Sequence, residues 1–347
     1  MPAIPSLPYI YQNDLNFPIP VVANEVVMTM FVVKGDHARL QALCDRYLNN
    51  LPGTQYRFAP LGSHLLLTFS GLKAIATTPP YDEYGWCREH GEVTFWMPTI
   101  QYKRELGVWV PQRFAFFIPY IFLDNTVPLT VGRDSYGMPK QFGWIDWPTV
   151  HDAPQHYTLD AYALKTYSQE TEVKRERVLS VIGPDQQTRA DEVWTNPRQG
   201  FGAVKAIALP EAAPQMSNLP AKFFSDLHFN VPIVCFKQFR DSENGNNACY
   251  QAIVDLRSEV RVESFRGGLL HGDYTLSVET LQSHPIVNDL GLNVGKVPLA
   301  LWLNFSMTMT NGKAIWSGSN AAESGQPRLR KNLWERLWWA FFPGNEA

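Results

Sequence analysis

VGRDSYGMPKQFGWIDWP, residues 131–148, sets one lysine, Lys140, directly behind a Gly-Met-Pro bend and among aromatic residues. A lysine enclosed in dry surroundings loses the solvation that favours its charge, and the neutral amine attacks a carbonyl carbon to give a Schiff base. Gly132 and Gly137 permit turns that other residues resist, so the segment ahead of Lys140 reads as a loop. Taken alone, Lys140 is one of 30 Lys and Arg, and such side chains are nearly all solvated surface charges. The surrounding chain decides between the two readings.

Immediately upstream, FAFFIPYIFL, 114–123, reads as a buried strand; it is about half the ~20 residues a spanning helix needs. Further upstream, VVMTMFVV (26–33), LLLTFSGLKAIAT (65–77) and EVTFWMPTIQY (92–102) also read as strands, being β-branched, aromatic or apolar between turn residues. Between the first two, Asp36 is a candidate N-cap for DHARLQALCDRYL, with Leu40, Leu43 and Leu48 on one helical face. Downstream, HYTLDAYAL, EVKRERVLSVIG, PIVCFKQFRD, CYQAIVDLRSEVRVESFRG, DYTLSVETL and VPLALWLNFSMTMTNGKAIW alternate or run apolar between Gly, Asn and Asp turns. SNLPAKFFSDLHF, 217–229, capped by Ser217 or Asn218, reads as the clearest later helix. The chain is therefore mainly β with a few peripheral helices. Without β-α-β alternation a doubly wound nucleotide fold is disfavoured.

No internal repeat of fixed period appears. The sequence divides into a proline-rich arm (1–23), one continuous domain (24–316) and a C-terminal extension (317–347). In the extension, LWERLWWAFF carries an apolar stripe of Leu333, Leu337, Phe341, Trp334, Trp338 and Phe342. Such a helix packs on its own or a neighbouring subunit; a membrane interface is the weaker alternative, because its polar face has no Lys/Arg cluster.

A 347-residue chain that is 45% hydrophobic buries a large core. The formal charge of -3 provides no field for gathering nucleic acid, which is excluded as a partner class. Aromatics at 13% against 18% charged residues call for buried, pocket-lining or subunit-interface aromatic side chains, so a homo-oligomer is expected. Cys44, Cys87, Cys235 and Cys249 have no C-x-x-C spacing and suit a reducing compartment, the cytoplasm. The N-terminus lacks the basic and apolar regions of a signal peptide. The eight histidines show neither H-x-x-x-H nor H-E-x-x-H spacing, so no metal is expected. GLNVGKV (291–297) has the wrong gap for a phosphate loop, and no G-x-S-x-G elbow is present.

At VGRDSYGMPKQFG the sequence resembles the acetoacetate decarboxylase family, whose Schiff-base lysine lies in a G-R-E-x-x-x-x-P-K-K pattern; Gly132, Arg133, Pro139 and Lys140 match, with Asp134 in place of glutamate. REHGEVTFWMP, 88–98, resembles the family's T-E-S-G segment before a strand, which implies an active-site glutamate at Glu89. FKQFRDSENGNNACYQAIV, GLLHGDYTL and SHPIVNDLGL resemble the family's late segments in the same order, extending the likeness from Asn24 to Trp316. The resemblance implies a closed, cone-shaped β-barrel packed on antiparallel sheet, with the lysine inside and several subunits. It implies a lyase that forms an imine on Lys140 with a small β-keto or α-keto acid, without a cofactor, Glu89 carrying protons.

Two departures shape the expectation. Gln141 stands where the family's decarboxylases have a second lysine, so burial by Phe114, Phe116, Phe117, Phe142, Trp144 and Trp147 must activate the amine. The family's N-R-E segment aligns with Asn24-Glu25 and leaves no arginine for the acid, so Arg88, Arg104, Arg113 and Arg133 are the candidates, with Arg133 equally suited to bracing the loop through backbone carbonyls. Phe116, Tyr136, Met138, Gln141 and His271 complete the candidate substrate contacts. His90 follows Glu89 and faces the other side if the segment is a strand. Aldolase-dehydratases that resemble this family lack the second lysine and condense pyruvate with an aldehyde, which makes them the alternative activity. A barrel that binds an apolar ligand without catalysis is the alternative of another class.

Overall fold

The computed structural model describes residues 9–10, 16–84, 87–148, 153–208 and 230–319. The helices expected at 217–229 and 333–342 lie outside the described residues, as does most of the N-terminal arm.

Strands dominate. In chain order they are β1 (Val21–Lys34), β2 (Tyr56–Pro60), β3 (His64–Ala76), β4 (Cys87–Glu105), β5 (Val108–Leu123), β6 (Lys140–Asp146), β7 (His156–Ala163), β8 (Lys174–Ile182) and β9 (Thr188–Arg189), followed by β10 (Asn230–Arg240), β11 (Ala248–His271), β12 (Thr275–Val278), β13 (Gly295–Lys296), β14 (Leu299–Met309) and β15 (Lys313–Ser319). The helices are α1 (His37–Cys44), α2 (Thr126–Val131), α3 (Pro197–Ala208) and α4 (Ile286–Leu290). None of the described helices is long and apolar enough to cross a membrane.

Following the pairings from β5 through β10, β11, β14, β1, β3 and β4 returns to β5, which closes a seven-stranded barrel. Closure removes the free edges that an open sheet of this size would expose. β6 leaves the barrel through a parallel pairing with the end of β5, Lys140 opposite Ile121, and continues antiparallel into β7, β8, β12 and β13. This second sheet lies against the outside of the barrel.

The barrel wall is apolar on both faces, which explains why its strands read as nearly continuous hydrophobic runs. Along β1, Phe31 and Val33 face outward to Tyr157, Leu159 and Tyr274 of the second sheet region, in one core cluster that also takes Leu65, Leu67 and Phe69 of β3 and Val93, Phe95 and Met97 of β4. The alternate residues Val26, Met28 and Met30, with Leu66, Leu72 and Trp96, face the lumen. Period-two alternation therefore separates two apolar environments on one strand.

Asp36 caps α1 as expected, accepting a hydrogen bond from the Arg39 amide at 2.9 Å, and Leu40, Leu43 and Leu48 are buried. Two helical stretches depart from the expectation. The segment ahead of Lys140, expected as a loop, is α2, capped by Asn125 and continued by a π-helical turn through Tyr136. Pro128 is tolerated in its first turn, where a missing N–H breaks no intrahelical bond. α3 carries Gly200 and Gly202, which masked it in the sequence.

Candidate active site

Lys140 is held by the turn that precedes it. Gly137 ends the π-helical turn in the left-handed conformation, φ 77°, where a Cβ would lie 2.4 Å from the Lys237 Cα. Glycine is required there on both counts. The Gly137 and Met138 amides donate to the Arg133 and Gly132 carbonyls at 3.0 and 3.1 Å, and the chain then enters β6 at Lys140. Its aliphatic stem crosses the face of Gly132, where a Cβ would meet Cδ and Cε at 2.5 Å. The lysine is 6% exposed.

Among the described residues the amine has two polar contacts. Nζ donates to the Pro128 carbonyl at 3.2 Å and lies 3.5 Å from Glu92 Oε2. The other carboxylate oxygen of Glu92 accepts from the Thr94 hydroxyl at 3.1 Å, which orients the group. His90, two residues away on the same face of β4, lines the same cavity and places Nδ1 3.1 Å from Cys87 Sγ. Burial, and then the Lys140 charge, pull the His90 pKa down to about 3, so its imidazole is neutral across the ordinary pH range. Burial also pushes the Cys87 thiol up to about 11. The cavity that these groups share has a volume of about 70 Å³, and Phe17, Leu72, Ile118, Ile121, Pro128 and Ile233 form much of its apolar wall.

Several candidates converge on this cavity and others do not. Tyr136 and Met138 line it beside Lys140, while Phe116 lines an adjoining chamber of the same lumen together with Phe114. Glu89 is exposed and absent from the lining, because on β4 it stands in the opposite phase to His90 and Glu92. Arg133 is exposed and donates to the Lys140 carbonyl at 3.1 Å, bracing the turn. Arg113 donates Nε to Gln101 Oε1 at 2.6 Å and sets Nη2 2.7 Å from Asp255, away from the amine. Gln141 follows Lys140 in the strand, so it points to the other face, where Oε1 meets His284 Nε2 at 2.8 Å. His271 is exposed at the end of β11.

The enclosure of Lys140 also differs from expectation. Phe142, Trp144 and Trp147 do not line the cavity; Trp147 packs over Gly71, and Trp144 stacks under Arg175 at 4.7 Å. The dry wall comes from residues distant in sequence, among them Ile118, Ile121 and Ile233. Among the described residues lining the cavity, Lys140 is the one basic side chain besides the neutral His90. His90 lies on the face opposite Glu89, as the strand reading implies; Glu92, Ser70 and Ser258 are lining polar groups that the sequence did not single out, and the alternation of Val93, Phe95 and Met97 was the signal available for Glu92.

Comparison of the sequence with protein-family models and with curated proteins finds no match. The fold, however, is that of the acetoacetate decarboxylase-like enzymes. Acetoacetate decarboxylase from Legionella pneumophila superposes with a TM-score of 0.56 at 13% identity, covering 90% of this chain and 93% of its own. An acetoacetate decarboxylase-like enzyme from Sphingomonas wittichii RW1 gives 0.52 at 12% identity, covering 88% and 96%. The enduracididine biosynthesis enzyme MppR, in complex with pyruvate, gives 0.51 at 15% identity, covering 87% and 93%.

Proposed function

We propose that the protein is a carbon–carbon lyase that processes an oxo acid through a Schiff base on Lys140. The observation that carries this reading is a buried lysine amine facing an apolar cavity, with an oriented carboxylate 3.5 Å away. Glu92 accepts the proton that frees the amine. Nζ then attacks the ketone carbon, the carbonyl oxygen leaves as water with protons relayed by Glu92, and a cationic imine results. With a 3-oxo acid, whose carboxylate is on the carbon next to the imine, that cation takes up the electron pair released when the carboxylate departs as carbon dioxide. The enamine so formed is reprotonated at carbon, and water hydrolyses the imine to release the ketone. The role expected of Glu89 passes in this reading to Glu92.

The lining supports an imine better than a tightly clamped carboxylate. With no arginine among the described lining residues, the acid group of the substrate has the cationic imine as its counter-charge, in surroundings that solvate it poorly. Aldol chemistry is the second reading. It is supported by Gln141 in place of a second lysine and by the likeness to MppR, which has been captured with the condensation product of pyruvate and imidazole 4-carboxaldehyde.

Borohydride reduction with acetoacetate or pyruvate tests the imine: a covalent adduct is expected on Lys140 by mass spectrometry and none on Lys140→Ala. An adduct that persists without Lys140 overturns the reading. Carbon dioxide release from acetoacetate then separates the decarboxylase from the aldolase. Glu92→Gln is expected to slow turnover by roughly 10²–10⁴, the usual range for a lost proton carrier; a rate unchanged by that substitution removes Glu92 from the mechanism.

A further inference from the structure

The lumen does not end at the cavity around Lys140. Met28, Trp96, Ser258 and Met307 line that cavity and also a second chamber, of about 210 Å³, so these four side chains form the waist between the two spaces. Beyond the waist the wall is Met30, Leu66, Phe114, Leu301, Leu303 and Phe305. One side is closed by α3, through Phe201 and Val204, with the exposed Lys205 at the rim.

The polar groups at the waist already have partners. Trp96 Nε1 donates to the Thr68 hydroxyl at 3.0 Å, and the Ser258 hydroxyl donates to Met307 Sδ at 2.7 Å. Ordered water in a cavity needs two to four polar partners, which the described residues of this wall do not offer. Its volume exceeds the ~150 Å³ that suffices for benzene in an apolar cavity, and it accommodates an aryl ring or an alkyl chain of roughly six carbons. Three methionines, Met28, Met30 and Met307, can re-pack around different shapes.

We infer that this chamber is a specificity subsite for a long apolar substituent on the ketone carbon, so that the substrate is a medium-chain or aryl-substituted oxo acid. The inference rests on the imine reading of Lys140. With the ketone carbon at Nζ, the carboxyl side remains near Glu92 and His90, and the other substituent passes the waist into the chamber. An acetoacetate-sized substrate fills only the smaller cavity and leaves the larger one without occupant.

The test is a homologous series of straight-chain 2-oxo acids, from 2-oxobutanoate to 2-oxodecanoate, trapped on the full chain with borohydride. In each trapping event the Lys140 nitrogen bonds to the ketone carbon, the oxygen leaves as water, and hydride from borohydride reduces the resulting C=N bond. The half-saturation concentration should fall about fourfold per added methylene, the transfer free energy of one buried CH₂ (~0.8 kcal/mol) converted to a ratio. The gain should stop at roughly six carbons, when the chamber is full. Met30→Trp and, independently, Leu303→Phe should move that stopping point to shorter acids. A half-saturation concentration independent of chain length, or a stopping point that neither variant moves, overturns the subsite while leaving the imine intact. No adduct on Lys140 at any length instead overturns the imine reading and the subsite with it.

Discussion

Gly132→Ala adds one methyl group where the Lys140 stem crosses the helix end. That carbon would sit 2.5 Å from both Cδ and Cε and 3.0 Å from Nζ. Favourable carbon–carbon contacts lie at about 3.5–4.0 Å, so the stem or the helix end must retreat by about 1 Å. The amine cannot yield freely, because Pro128 O and Glu92 flank it at 3.2 and 3.5 Å inside a small cavity. A displacement of that size costs about 10²-fold in a reaction that depends on near-attack geometry. Overpacking of this kind also costs about 1–3 kcal/mol of stability. The assay is the rate of borohydride-trapped adduct formation on Lys140 at saturating oxo acid, followed by intact mass, beside a denaturant unfolding curve. A substituted protein that stays folded should trap roughly a hundredfold more slowly. Trapping at the original rate would refute the claim that Gly132 sets the position of the amine.

His90 makes acid stability a second test. Its pKa is about 3 in the folded protein, against an ordinary value of 6.5, so between those values the unfolded chain binds the proton that the folded one refuses. Stability is therefore full above pH 6.5 and declines as pH falls toward 3, by up to ~1.4 kcal/mol per pH unit from this one group. Burial lowers the His284 pKa as well, which acts in the same direction. His90→Gln should reduce the slope by up to one proton, measured as urea midpoints between pH 7 and pH 5; an unaltered slope would contradict the buried, neutral state of His90. Gly202, by contrast, has open space where a Cβ would go and lies exposed in α3. Gly202→Ala should raise unfolding stability by about 0.5–1 kcal/mol, since glycine loses more backbone freedom in a helix, and a decrease in the urea midpoint would show that the site is more crowded than it looks.

The sequence by itself determined much of this architecture. Apolar runs such as VVMTMFVV and LLLTF encode strands buried on both faces, as the barrel wall requires. Asp36 and the leucines behind it encoded α1, and the Gly-Met-Pro bend marked Lys140. These are local signals: period, cap and turn chemistry act within a few residues. The helix at Thr126–Val131 was less legible, because Pro128, Gly132 and Gly137 read as loop formers until the docked position of the turn is known.

Which groups surround the amine was a question for tertiary structure. Glu89 and Glu92 are three residues apart on one strand, so they point to opposite faces, and only the closure of β4 onto β5 decides which face is the lumen. Phe142, Trp144 and Trp147 are near Lys140 in sequence but turn to other surroundings, while Ile118, Ile233 and Leu72 reach it from three different strands. The chamber beyond Trp96 and Ser258 exists only because seven strands close around it. Chemistry of single residues is written along the chain; enclosure, and with it the identity of the carboxylate beside Lys140, arises where distant strands meet.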